Sequence, residues 1–461
     1  MIYSFLLFLA LFVGIGVMAH RKSTGTTLDY LLASKDVKPW LTGFSFFATE
    51  NSGFMFVGFI GIAYAIGLPA LWILIGWYLG ETLILLSTAK AFRNQTDVVN
   101  AHTYSELLGR WSGEDFKFVR WLSALIIIAF LPVYAAAQLS AGGKALNVAL
   151  GWDLSIGAII GFLIVIAYCL SGGIRATVWT DAVQALVMFI SLFLIVGFGL
   201  HEIGGIGALI SALNAIDPAL LDMMSGDYKY GILGFFAGWL FAGVGVMGQA
   251  HVMVRFMMVK DAESTKKAVW YYAGLVTILS ILCMTAALCA RVLLPELGDA
   301  ELGLPTLSST YLPGILAGVF LAGLFAASIS SADSQILSSS AALTRDLFSK
   351  HAEKVWWSKA GTLLVGLFAL GIVLSGQDNV FKLATFSWAL MASGMAPLFF
   401  LYIMGKKPTQ IHAVLIMIIG MAASYAWEYA GMSGDIYNVL PGLVAGMLSY
   451  YLLIPIFKAK S

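Results

Sequence analysis

Four acidic side chains lie inside long apolar segments of the sequence: Glu50, Glu81, Asp181 and Asp333. An ionisable group within a bilayer is costly, so it faces a cavity or a partner and indicates function by default. Together with hydroxyl and carbonyl oxygens, carboxylates are the ligands that small hard cations prefer. The same carboxyl groups could instead carry protons. The residues themselves therefore leave both metal-ion coordination and proton binding open.

Glu50 belongs to the polar stretch 48–53, which interrupts an otherwise apolar run from 40 to 64. Each unpaired polar backbone group in hydrocarbon costs several kcal/mol, so a helix that faces lipid does not tolerate this stretch. We expect it to line a cavity inside the protein, within a broken membrane span.

A second polar stretch, 326–335, carries Ser330, Ser334 and Ala327 at spacings of three and four residues. This spacing places them on one helix face. Small residues and serines also serve as close packing surfaces between membrane helices, and that alternative stays open for the serines alone. The nearby acids favour ion coordination. In a third stretch, 168–184, Gly172 and Gly173 predict a tight turn, and Asp181 follows about two helical turns into the next span.

The composition decides the class of protein. Of the 461 residues, 60% are hydrophobic and only 11% are charged, against roughly 25% charged in soluble proteins. Apolar segments of about 20 residues are too long for the strands of an outer-membrane barrel. We therefore predict an all-α polytopic membrane protein embedded in a lipid bilayer. The net charge of +1 gives no reason to expect a nucleic-acid partner.

Thirteen membrane spans are predicted from hydropathy, and the ninth is too long for one straight crossing. They lie near 2–19, 39–66, 69–90, 118–148, 154–170, 176–200, 230–257, 268–293, 306–343, 357–376, 379–404, 409–430 and 436–457.

Charge placement supports this count. When successive loops are assigned to alternate sides of the membrane, all but four of the 26 Lys and Arg residues fall on one side. The exceptions are Lys144, Lys229, Arg291 and Lys382. The positive-inside rule then places the N-terminus outside and the C-terminus in the cytoplasm. On the external side, we expect 217–227 and 296–301 to be solvated surface.

Enzymatic chemistry is not supported by the sequence, which contains no HExxH, paired CxxC or GxSxG pattern. We therefore predict that the protein is not an enzyme. The cysteines lie inside apolar runs and are typical of packing residues: Cys169, Cys283 and Cys289.

Four ordered motifs resemble those of the sodium/solute symporters, and within that family the sodium/proline branch. They are Ala-Thr-Glu-Asn-Ser-Gly at 48–53, Ser-Gly-Gly with Trp-Thr-Asp-Ala-Val-Gln within 171–184, Gly-Gln-Ala-His with Arg-Phe within 248–256, and Ser-Ala-Asp-Ser-Gln-Ile-Leu-Ser-Ser-Ser at 331–340 leading to Leu-Thr-Arg-Asp. The resemblance covers nearly the whole chain.

The resemblance implies one transporter domain, 1–461, with a leucine-transporter-like core of two inverted five-helix repeats. We expect a peripheral first helix and loop at 1–37, the repeats at 38–200 and 229–404, and two peripheral helices at 405–461. Such folds bind solute and ion near the midplane, where the first helix of each repeat is broken.

The resemblance also implies the ligands of a Na⁺ site. These are backbone carbonyls of Ala48, Asn51 and Ala327 with the hydroxyls of Ser330 and Ser331. A second cation position would use Asp181 with Asp333 and Ser334, although Asp181 could equally have a structural or gating role. Glu50 stands where proline carriers usually have Asp, and we assign it to the ion path or gating.

For the solute, the resemblance implies a region formed by Ser52, Gly53, Phe54, Gly58, Tyr134, Trp239 and Ala242. Phe54 and Ala242 stand where the branch has Trp, so proline is the best single candidate rather than a fixed assignment.

The sequence therefore predicts a Na⁺-coupled symporter of the plasma membrane (a cell inner membrane), importing proline or a related amino acid by alternating access as a monomer. The alternatives are another solute (betaine, pantothenate or a sugar acid), proton coupling, and a transporter-like sensor.

Overall fold

Helices form nearly all the regular structure in the computed structural model, which describes residues 1–21, 23–376 and 379–457. The described residues contain these α-helices: α1 (Ile2–His20), α2 (Thr27–Leu32), α3 (Pro39–Glu50), α4 (Phe59–Ile66), α5 (Leu71–Val98), α6 (Tyr104–Arg110), α7 (Lys117–Leu150), α8 (Leu154–Ile203), α9 (Ile206–Ile216), α10 (Gly231–Val244), α11 (Ala250–Met258), α12 (Ser264–Leu293), α13 (Gly303–Tyr311), α14 (Gly314–Ala341), α15 (Val355–Leu374), α16 (Val380–Ile403), α17 (Gln410–Tyr429) and α18 (Val439–Phe457).

The chain is an all-helical, multi-pass membrane protein. Within the described ranges, 10 helices are long and apolar enough to cross a bilayer, or up to 11 when one bent pair counts as a single span. The number thirteen stays a prediction. Lys22, Lys458 and Lys460, which the charge pattern used, lie outside the described residues.

The bent pair is the predicted broken span. α3 ends at Glu50, a π-helical turn covers Phe54–Gly58, and α4 continues to Ile66. The two halves meet at 50°. The later span around α10 is interrupted in the same manner, by a 3₁₀ turn at Gly245–Gly248 before α11 begins. Both interruptions leave backbone groups without their helical partners, which is how such folds create polar sites at membrane depth.

The 50-residue helix α8 is two helices joined at Gly173, whose φ of 56° and ψ of −146° leave the helical region. A side chain there would strain the backbone and also collide with the carbonyl oxygen of Tyr30. This break lies where the Gly-Gly pair predicts a turn.

α14 lies at the centre of the molecule, packed chiefly on α8 and α7 and also touching α3 and α11. The predicted ninth span, 306–343, is wrong as one element, because α13 and α14 are separate helices with Pro313 between them. Its polar segment 326–335 is buried throughout. The serine side chains of this segment therefore face other helices and not lipid.

Two expectations about charged residues are also wrong. Glu301 was expected in a solvated loop, yet it is buried, accepts a hydrogen bond from Lys144 Nζ at 2.7 Å, and accepts the Phe381 backbone N–H at the start of α16. Arg255 was counted among the loop charges of one side but is fully buried in the helix core. Both corrections arise because a charged residue can be paired inside a helix bundle, which hydropathy alone does not reveal.

Candidate functional site

The first part of the site is the interruption after α3. Asn51 caps that helix with φ −90° and ψ 72°, so the backbone leaves the helix there. The Gly53 N–H donates to Gln138 Oε1 at 2.9 Å, and the Phe54 N–H donates to Ser52 Oγ at 3.1 Å. The N–H groups of Gly53 and Phe54 are thus satisfied by α7 and by Ser52, as a break inside a membrane requires.

α14 contacts this break through two hydroxyl groups. Ser330 Oγ donates to the carbonyl of Ala48 at 2.8 Å, and Ser331 Oγ donates to that of Thr49 at 2.7 Å. Both hydroxyls also lie near the Ala327 carbonyl, at 3.1 and 3.4 Å. Five oxygen atoms are therefore gathered where α3 meets α14, the donor set that a small hard cation prefers.

Hydrogen bonds join four of the predicted Na⁺ ligands (Ala48, Ala327, Ser330 and Ser331), and the part of the fifth, the Asn51 backbone carbonyl, stays a prediction. The Asn51 side chain accepts from Tyr78 Oη at 2.7 Å and donates to the Phe47 carbonyl at 3.0 Å. The Thr49 carbonyl, which sequence reasoning did not select, also lies here and accepts a hydrogen bond from Ser331 Oγ. No sequence signal distinguishes successive carbonyls at a helix end, so this choice required the structure.

The residues of the second predicted cation position form a buried network around Arg255. The guanidinium lies 3.2 Å from Asp181 Oδ2 and also donates to Ser334 Oγ. The Ser334 hydroxyl lies 2.6 Å from Asp333 Oδ1, and Tyr168 Oη donates to Asp333 Oδ2 at 2.6 Å. Within the described part of the chain, the second oxygen of Asp181, Oδ1, has no hydrogen-bond partner.

This network places a fixed positive charge beside Asp181. The carboxylate also accepts from Ser45 Oγ at 2.6 Å, and Arg255 Nε donates to the same hydroxyl at 3.2 Å. A charge pair of this kind can hold α8, α11, α3 and α14 in one arrangement, which is a gating or structural role. A second cation at this position stays a prediction.

The predicted solute residues lie in the break itself and on α7 and α10. Tyr134 lies beside Ser52, and its ring meets the His251 ring edge-on with centroids 5.6 Å apart. Gly58 is covered by Phe381, whose backbone would touch any added Cβ. The Ala242 carbonyl accepts the indole N–H of Trp388 at 3.0 Å.

Aromatic rings join these residues into a cluster that the sequence did not indicate. Trp77 packs against Phe54 and Trp239, each with centroids 5.8 Å apart, and against Trp388 at 4.7 Å. Trp239 also stacks on Tyr437 at 4.6 Å. Because the sequence is rich in Trp and Phe throughout, only the three-dimensional contacts separate these rings from lipid-facing ones.

The sodium:solute symporter family model matches residues 30–420. The chain belongs to this family. As a symporter it is a transporter and not an enzyme, and its partners are a small solute and Na⁺ within a membrane.

The high-affinity proline transporter PutP of Bacillus subtilis (strain 168) is 28% identical to this symporter over 97% of this chain and 96% of its own length. The sodium/proline symporter of Staphylococcus aureus (strain JH9) is 27% identical over 98% and 91%. Among solved structures, that of a Na⁺-coupled sialic acid symporter superposes with a TM-score of 0.85 at 22% identity, covering 100% of this chain and 98% of the other. This chain therefore has the same fold as that symporter.

Proposed function

We propose that this symporter imports proline or a related small amino acid together with Na⁺, by alternating access across the plasma membrane. The observation that carries the proposal is the contact of Ser330 and Ser331 with the carbonyls of the α3 break. These oxygens could coordinate Na⁺ and so join α3 to α14. The proline transporters similar over nearly the whole chain support the choice of solute.

Na⁺ is cargo in this proposal. One Na⁺ entering at about 100 mV releases roughly 2.3 kcal/mol, and a tenfold Na⁺ gradient adds about 1.4 kcal/mol. At about 1.4 kcal/mol per tenfold, the sum sustains a solute gradient of several hundredfold. Bound Na⁺ would stabilise the arrangement of α3 against α14 and so shape the adjacent solute region. The protein would act as a monomer with its C-terminus in the cytoplasm.

The test is uptake of radiolabelled L-proline into proteoliposomes with Na⁺ on the outside or replaced by choline at fixed pH. We expect uptake only with Na⁺. The double variant Ser330→Ala with Ser331→Ala should lose Na⁺ stimulation, because two of the five oxygens are removed. Ser339→Ala is the matched control, since the hydroxyl of this buried serine of the same helix donates to the Ile127 carbonyl, at 3.4 Å, and not to the α3 break.

Equal uptake in choline would exclude Na⁺ coupling and favour protons. Na⁺-driven uptake of a betaine, pantothenate or a sugar acid, with no response to proline, would preserve the symporter but change its solute.

A further inference from the structure

The carboxyl groups of Glu50 and Glu81 are buried close together, and each is only half satisfied. Trp77 Nε1 donates to Glu50 Oε1 at 3.1 Å, and the same indole is a hydrogen-bond neighbour of Glu81. Tyr272 Oη donates to Glu81 Oε2 at 2.7 Å. The remaining oxygens, Glu50 Oε2 and Glu81 Oε1, have no hydrogen-bond partner among the residues that the structure describes.

No ion pair among the described residues includes either acid. Arg255, the fully buried arginine of α11, is held by Asp181. An uncompensated buried carboxylate is strongly unfavourable, so these acids are stable either as neutral carboxyl groups or when paired with a positive group that a ligand supplies.

The surroundings indicate which positive group fits. A small metal cation prefers a shell of several oxygens, whereas here the two acids are bordered by the aromatic cluster. The Trp77 ring contacts both Trp239 and Phe54 of the predicted solute region. Aromatic faces attract organic ammonium groups, and free carboxylate oxygens accept their N–H bonds.

We propose that Glu81 is a specificity-determining residue whose carboxylate, together with that of Glu50, binds the ammonium group of the transported solute. This inference rests on the proposed symport function and narrows its substrate class. Solutes with an ammonium group are accepted, and amine-free solutes such as pantothenate or sugar acids are rejected. Glu81 lies on α5 one helical turn from Trp77, so the charge and the aromatic surface are presented together.

The first experiment measures thermal stabilisation of the purified protein in Na⁺ by ammonium-bearing probes that have N–H donors (L-proline, L-alanine, glycine) and amine-free probes (N-acetyl-L-proline, pantothenate, gluconate). We expect stabilisation by at least one ammonium-bearing probe and by no amine-free probe. Equal stabilisation by N-acetyl-L-proline, stabilisation by an amine-free probe alone, or no stabilisation by any ammonium-bearing probe would each overturn the inference.

The second experiment compares Glu81→Gln with the wild type by uptake of the probe that stabilises best. Loss of a charged contact should raise KM by roughly tenfold to a hundredfold. The half-saturating Na⁺ concentration should stay within about twofold, because the Na⁺ oxygens are separate. Tyr272→Phe is the control that removes a hydrogen bond but leaves the charge, and its KM should change much less.

Glu81→Asp preserves the charge and should recover part of the affinity, which also covers the case in which Glu81→Gln does not fold. An unchanged KM in a folded Glu81→Gln protein would contradict a role in ammonium binding. So would a KM of Glu81→Asp that is as high as the KM of Glu81→Gln. Failure of the proposed function looks different: discrimination between ammonium-bearing and amine-free solutes would persist, but without any dependence on Na⁺.

Discussion

Arg255 and Asp181 are fully buried and form an ion pair, with 3.2 Å between Arg255 Nη2 and Asp181 Oδ2. Removing one member of such a pair leaves an uncompensated charge inside the protein, whereas removing both does not. Ser45 and Ser334 connect the pair to α3 and α14, which also provide the candidate Na⁺ oxygens. The charge pair thus connects α8 to the two helices that form the candidate Na⁺ site.

We predict that Asp181→Asn and Arg255→Gln each lower the free energy of unfolding by roughly 3–5 kcal/mol. The double variant should lose clearly less than the sum of the two, because neither charge is left alone. Denaturation of the purified variants measures this in a double-mutant cycle. Additive losses would show that the two side chains do not act as a pair.

At the scale of elements, close helix contacts require small residues. α10 crosses α5 at Gly243, where an added Cβ would collide with the Trp77 carbonyl oxygen and crowd the Glu81 backbone nitrogen. This contact positions both Trp77 and Glu81 against the predicted solute region. Backbone atoms cannot move aside as a flexible side chain can, so the glycine is required here for packing.

Gly243→Ala should therefore destabilise the protein and reduce uptake, because α10 must shift away from α5. We expect a cost of roughly 1–3 kcal/mol, the usual range for overpacking. Gly274→Ala is the matched control in α12, where an added Cβ meets nothing within 4 Å; there alanine should be neutral or slightly stabilising. Equal thermal stability of the two variants would contradict the packing argument.

At the scale of the whole molecule, ion pairs connect parts of the chain that are far apart in sequence. Lys144 of α7 bonds Glu301, which in turn caps the start of α16. Asp29 of α2 bonds Arg175 at 2.8 Å. Burial alone would raise the pKa of Asp29, but hydrogen bonds from Arg175, Ser34 and Thr24 outweigh it and hold the pKa below its usual value. The carboxylate is therefore ionised near neutral pH and keeps this contact.

Membrane orientation is a prediction for the whole molecule, because it rests on the summed charge of many loops. Cysteine introduced at Met224, a 64% exposed residue, should react with an impermeant thiol reagent in intact cells. Cysteine at the exposed Ser349 should react only after the cells are permeabilised. The native cysteines are all buried and give little background. The reverse labelling pattern would show that the orientation in the membrane is opposite to the predicted one.

The sequence predicted the membrane class, the break at 48–53 and four of the residues that meet at the candidate Na⁺ site. The membrane class and the break depend on composition and local spacing, whereas the resemblance to the symporter family implied the four site residues. Polar residues within an apolar run must be kept away from lipid, whichever helices surround them. Serines three or four residues apart share a helix face. The pairing of Asp181 with Arg255 was missed because 74 residues separate them in the chain.

The amino-acid sequence by itself determined that this protein spans a membrane many times and that acids and hydroxyls lie within its helices. Hydrophobic content and residue spacing are properties of the chain alone. Only the tertiary structure decided that the Thr49 carbonyl meets Ser331, that Glu301 is buried, and that Glu81 lies against the aromatic cluster beside Glu50. Each depends on which helices cross and at what depth, and close packing of small residues between helices fixes that crossing.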